Sequence, residues 1–202
     1  WLAGAGQGIL MSVLLRTNVR AERVPPLSLA VGLSLRDVFE AATGIPDVLL
    51  KWPNDVLAHG KKVAGILVET IVSGANVDAI VVGVGMNIHT REFPDEIAHR
   101  ATSLACASAN GATLHRGDLL ISFLEKLAVD SDHVLHRGLG PFRARLERAD
   151  ALRGKRVRKD DGVSGTASGI HESGGLLVDV GEGRPREVWS SGEVHLVLDD
   201  AP

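Results

Sequence analysis

The sequence predicts an α/β (α+β) protein: a helix-backed β-sheet domain over residues 1–150, carrying a small all-β domain over residues 151–202. Three observations predict it. Apolar runs with strand character recur through the first half, a helical period runs from Leu27 to Ala42, and near Ala151 the texture changes. Beyond that point helical periods stop and short β-like segments alternate with turn signals.

Residues 4–16, GAGQGILMSVLLR, are a glycine-rich entry to an apolar strand from about Ile9 to Leu15. The GAGQG run looks like a phosphate loop, but it precedes a strand and lacks dinucleotide or Walker spacing, so it reads as a flexible turn. Pro25 and Pro26 end the next loop. Leu27, Val31, Leu35, Val38, Phe39 and Ala42 then recur at three- and four-residue steps, with Gly44 as the stop, and this helix is expected to cover one face of the sheet.

The chain is organised around residues 50–69, LKWPNDVLAHGKKVAGILVE. The run Val48–Leu50 delivers Lys51 and Trp52. Pro53, Asn54 and Asp55 break the strand, because proline lacks a donor N–H and Asx residues favour turns. Gly60 precedes Lys61 and Lys62, and an apolar strand follows from Val63 to Val68. Strand, polar turn, cationic tip and strand suit a small anion held over a sheet. The plainer alternative is a solvated hairpin. Gly65 weighs against it, since glycine inside a strand costs about 0.5–1 kcal/mol relative to alanine and often marks close approach by a ligand or backbone.

Residues 78–88, DAIVVGVGMNI, read with period two: Ile80, Val82, Val84 and Met86 on one face, Val81, Gly83, Gly85 and Asn87 on the other. With Gly65, the thinned face makes a floor for a flat ligand. A dinucleotide fingerprint fails here, because Ile88 stands where the third glycine belongs. Residues 91–114 are loop-like. Asp118 is a plausible N-cap for a helix to about His136, and Pro141 suits the first turn of another short helix. His133 and His136 lack further ligands at metal spacing and read as solvated. The late strands are expected at Gly165–Ile170, Leu176–Val180, Glu187–Trp189 and Val194–Leu198, as a small barrel packed on the main domain.

Bulk properties exclude several classes. A net charge of −3 argues against a chain-wide nucleic-acid footprint. The lone Cys106 rules out an internal disulfide framework. No apolar run approaches the roughly 20 residues that span a bilayer. Together these predict a cytoplasmic protein with no membrane partner. The chain begins at Trp1, which points to a fragment or a trimmed start.

KWPND at 51–55, KKVAGILVE at 61–69 and GVGMN at 83–87 stand in the order and spacing of biotin protein ligases, and the sequence resembles that family closely through residue 104. The small β domain is similar in position and size to the family's C-terminal SH3-like domain. The resemblance implies a mixed-sheet catalytic domain shared with lipoate ligases. It also implies two-step chemistry: biotin and ATP give biotinyl-5′-AMP and pyrophosphate, then a lysine of the biotin carboxyl carrier protein takes the biotinyl group.

By resemblance Lys62 contacts the biotin carboxylate and the phosphate, and Gly65 and Leu67 contact biotin. Gly83 and Gly85 leave room for ligand, Asn87 meets the adenylate, Trp1 stacks on adenine, and Asn54 and Asp55 shape the supporting turn. Strict alternation would turn Lys62 away from Gly65 and Leu67; its place at the end of the turn relaxes that rule. Mg2+ is expected on the phosphates, with no protein metal ligand assigned. Many members dimerise through a sheet edge, and nothing in the sequence fixes that state. The family's glycine/arginine-rich loop and the strand supplying ureido contacts are expected before Trp1. The small domain offers only His195 where many members carry a basic residue near ATP. A lipoate-ligase-like acyl-adenylate enzyme and a truncated, non-catalytic nucleotide- or partner-binding relative are the alternatives.

Overall fold

The computed structural model describes residues 3–181 and 183–197; Trp1 and the end of the strand expected to reach Leu198 lie outside them. The first half contains β1 (Gly8–Arg20), α1 (Leu27–Thr43), β2 (Val48–Lys51), β3 (Asp55–Ala58), β4 (Lys61–Ser73) and β5 (Asn76–Asn87). Two one-turn helices follow, α2 (Asp95–Ala98) and α3 (Leu104–Ala107), then α4 (Arg116–Arg137) and α5 (Arg143–Ala149). The small domain contributes β6 (Arg156–Lys159), β7 (Ser164–Ile170), β8 (Leu176–Asp179), β9 (Glu187–Trp189) and β10 (Val194–Leu196).

The large sheet has the order β1-β5-β4-β3-β2, and every ladder is antiparallel. The mixed character expected of it is confined, among the described residues, to isolated parallel bridges, Leu50 with Asp150 and Lys62 with Ala101. Val48, Leu50, Val56, Ile66, Ile80, Val82 and Met86 are buried on its inner face, where α1 packs. Gly32 lets α1 approach closely: a Cβ there would lie 3.0 Å from Leu50 Cδ2. Pro26 precedes the helix, and Gly44, at φ 69°, returns its N–H to the Glu40 carbonyl at 2.8 Å, closing it as expected.

Helix α4 forms a second helical layer over α1. Buried Ser34 of α1 donates to Asp130 of α4 at 2.8 Å, and Arg145 of α5 reaches Asp130 and Asp37, each at 2.9 Å. This network ties all three helices together. The small sheet runs β10-β6-β7-β8-β9, and among the described residues no ladder joins β9 to β10 to close a barrel. It packs on the main domain through buried hydrogen bonds: the Trp52 indole N–H donates to the Gly174 carbonyl at 2.9 Å, and the Ala151 N–H to the Leu50 carbonyl at 2.9 Å. No helix among the described residues is long and apolar enough to cross a membrane.

Candidate functional site

The position of Lys62 is decided by a bulge. Between β3 and β4, Asp55 pairs with Gly65 and Val56 with Ala64, but Leu57 pairs with Lys62, so Val63 is an extra residue without a partner on β3. Asp55 and Leu57 are two apart and share a face; Lys62 therefore shares the face of Gly65. Side chains of Lys62 and Asp55 meet there, with Nζ 2.5 Å from Oδ1. Lys62's backbone is held from the other side by a loop segment: its N–H donates to the Arg100 carbonyl at 2.8 Å, and its carbonyl accepts from Thr102 N–H at 2.9 Å. Asn87 fastens that segment, its Nδ2 donating to the Thr102 carbonyl at 3.0 Å. Lys61 points elsewhere, donating to the Ala98 carbonyl at 3.3 Å.

Register then assembles the floor. Leu10, Gly85, Gly65 and Asp55 lie in one row across β1, β5, β4 and β3, and Ser12, Gly83 and Leu67 lie in the next. These rows sit on the outer face, opposite α1. The result is a hollow of about 490 Å³ lined by Leu10, Met11, Ser12, Asn54, Lys62, Gly65, Ile66, Leu67, Gly83, Val84 and Gly85. Leu10 and Leu67 are more than half exposed and form apolar sides. Asn54 is locked at the rim: its Nδ2 donates to the Ile66 carbonyl at 2.9 Å and its carbonyl accepts from Ile66 N–H at 3.0 Å.

Of the residues expected from sequence, Lys62, Gly65, Leu67, Gly83, Gly85 and Asn54 line this one hollow, and Asp55 pairs with its lysine. Asn87 is buried at the end of β5, its amide group engaged with Thr102 beside Lys62. The β1 residues Leu10, Met11 and Ser12 escaped the sequence reading, because nothing local to β1 announces that it pairs with β5. A second cavity of about 670 Å³ is lined by Gly4, Gly6, Gln7, His89, Thr90, Arg91, Glu92, Ala105 and Ala112. It lies where β1 begins and β5 ends, so the glycine-rich entry borders it. His195 lies in the small sheet, its Nε2 2.8 Å from Asp160 Oδ1. Among the described residues no group of three or more His, Cys, Asp or Glu side chains is arranged to hold a metal.

Residues 1–87 match the model of the biotin/lipoate A/B protein ligase family, and residues 154–197 match that of the biotin protein ligase C-terminal domain. The biotin–[acetyl-CoA-carboxylase] ligase of Mycobacterium tuberculosis is 35% identical over 204 residues, covering 97% of this chain and 72% of that protein. The bifunctional ligase/repressor BirA of Bacillus spizizenii is 33% identical over 193 residues. Among solved structures, the Aquifex aeolicus biotin protein ligase in complex with biotin and ATP superposes with a TM-score of 0.78 at 29% identity, covering 95% of this chain and 79% of that one. The chain belongs to the biotin protein ligase family. It spans 57% of the length of the first of its curated relatives, the Bacillus proteins.

Proposed function

We propose that this chain is the catalytic region (residues 1–150) and C-terminal domain (residues 151–202) of an ATP-dependent biotin ligase. In the first step a biotin carboxylate oxygen attacks the α-phosphorus of ATP. The bond to the bridging oxygen breaks, and pyrophosphate leaves with the electron pair. An anion is being driven onto a polyanion, so a fixed cation that meets the growing negative charge lowers the barrier. The Lys62 ammonium fills that role, aligned by Asp55 over a floor where Gly65, Gly83 and Gly85 admit the flat ligand and Leu67 gives it an apolar side. In the second step a lysine amine of a biotin carboxyl carrier protein attacks the acyl carbon, loses a proton and releases AMP.

One observation carries this reading: the β3–β4 bulge puts the Lys62 amine on the same face as the glycine-thinned patch. Trp1 and Asn87 are proposed to border the adenylate, Asn87 chiefly by fixing the segment that holds Lys62. Magnesium would arrive on the nucleotide phosphates with water completing its shell, a mode that needs few protein ligands. ATP–pyrophosphate exchange is the test, run with biotin, with lipoate and with neither acid. Biotin-dependent exchange supports the proposal; exchange driven by lipoate alone moves the assignment to that ligase, and binding of biotin and ATP without exchange leaves a binding module. Sedimentation of the full chain decides whether it is a homodimer.

A further inference from the structure

We propose that Trp52 is a positioning residue through which the small β domain holds Lys62 in its working place; the step it serves is the adenylation proposed above. The turn between β2 and β3 is gripped at every residue. Trp52 is 3% exposed and its indole N–H donates to the Gly174 carbonyl of the small domain at 2.9 Å. The Pro53 carbonyl accepts from the Ser28 hydroxyl of α1 at 2.9 Å. Asn54 exchanges two hydrogen bonds with Ile66 of β4. Asp55, next in the chain, meets Lys62.

The contacts close a ring. Gly174 sits at the β7–β8 turn with φ +87°, and a Cβ on it would come within 3.0 Å of Pro26 Cα and N. Pro26 is the residue on which α1 starts, two positions before Ser28. One glycine of the small domain thus touches the base of the helix that holds Pro53 and bonds directly to the neighbouring Trp52. Its own position is set within its turn, since the Gly174 N–H donates to the His171 carbonyl at 2.9 Å. A buried indole satisfied by another domain is an expensive bond to leave unmade, and here its loss falls on the turn that ends in Asp55.

Two full-length variants test this from opposite ends: Trp52→Phe, which keeps an aromatic ring and removes the N–H, and Gly174→Ala, which forces the small domain off Pro26. Amide hydrogen exchange at Ile66, whose N–H reports the Asn54 contact, should accelerate in both, while Val82 in the same sheet stays as protected as in the parent. In biotin-dependent pyrophosphate exchange kcat should fall about 10²-fold, the usual effect of a displacement near 1 Å at a catalytic group, with the biotin KM little changed. Combining Trp52→Phe with Asp55→Asn should be no worse than Asp55→Asn alone. Unchanged Ile66 exchange in both variants, or effects that multiply in the double variant, overturns the proposal. If Trp52→Phe does not fold, Gly174→Ala decides. A parent chain without biotin-dependent exchange refutes the adenylation reading, while the Ile66 amide still decides the positioning role.

Discussion

Lys62→Met separates chemistry from stability. The substitution keeps the apolar stem and removes the ammonium. Its ion pair with Asp55 is 2.5 Å long, but the two side chains are 40% and 19% exposed, so solvent screens the attraction. Such pairs contribute about 0–1 kcal/mol to folding, and stability should fall by no more than that. On the proposed mechanism, catalysis loses a charge aimed at the transition state. Removing one such donor typically raises the barrier by about 2.7–4 kcal/mol, or 10²–10³ in kcat. Lys61→Met is the matched control, because that amine contacts the Ala98 carbonyl and lies outside the hollow. The assay is biotin-dependent ATP–pyrophosphate exchange, with urea unfolding alongside. The reasoning is wrong if Lys62→Met retains parental exchange, or if Lys61→Met is equally impaired.

Three other perturbations probe the floor, the helical layer and the junction. In Gly83→Ala the new methyl would rest 3.6 Å from Leu67 Cβ and its carbonyl, ordinary contact that the fold accepts. It would stand inside the proposed biotin space, so biotin affinity measured by calorimetry should weaken by about 1–3 kcal/mol, as overpacking does, with an unchanged melting temperature. Arg145→Met leaves Asp130, only 9% exposed, without its cation, and should cost about 3 kcal/mol in urea unfolding; a loss below 1 kcal/mol would show the network to be idle. At Asp150 burial raises the carboxyl pKa, opposed by the backbone N–H groups of Leu152 and Arg153. The folded chain therefore holds this proton more tightly than the unfolded one. The group's contribution to stability is present below the ordinary carboxylate pKa and is lost as pH rises through the raised folded value. Asp150→Asn retains an acceptor for the Leu152 N–H, so it should raise the melting temperature at pH 7 and give no gain at pH 3; an equal gain at both would remove burial of charge as the cause.

Helix α1 was legible because its signals are local: apolar positions at helical spacing, prolines before it and a left-handed glycine after it. Helix α4 begins at Arg116 with His115 as N-cap, three residues before the expected cap; Asp118 lies instead in the first turn, where a carboxylate also complements the helix dipole. Strand β6 went unseen, since RVRK offers one buried residue, Val157, among cations. Strand β3 was absorbed into the turn for a related reason: four residues between Asn54 and His59 carry too short a period to register. The glycines of the floor could be read directly, because period two is intrinsic to a strand. Their alignment into rows with Leu10 and Ser12 depends on pairing between segments some 70 residues apart, which no local pattern encodes.

The bulge explains why Lys62 faces the hollow instead of the core. Only the inner face of the large sheet is covered by α1, so a regular strand there should alternate buried and exposed. Val63 and Ala64 are adjacent and both fully buried, a break in that alternation at the point where the ladder with β3 is also broken. A two-against-one bulge resolves the conflict by inserting Val63 as the unpaired residue and reversing the parity of everything before it. Without that reversal the Lys62 amine would enter the layer occupied by Val56, Ala58 and Ile66, where an unpaired charge costs far more than a surface ion pair returns. Burying Val63 and turning Lys62 to the glycine-thinned face are thus one structural event. The apolar pair Val63–Ala64, immediately after two lysines, is its mark in the sequence.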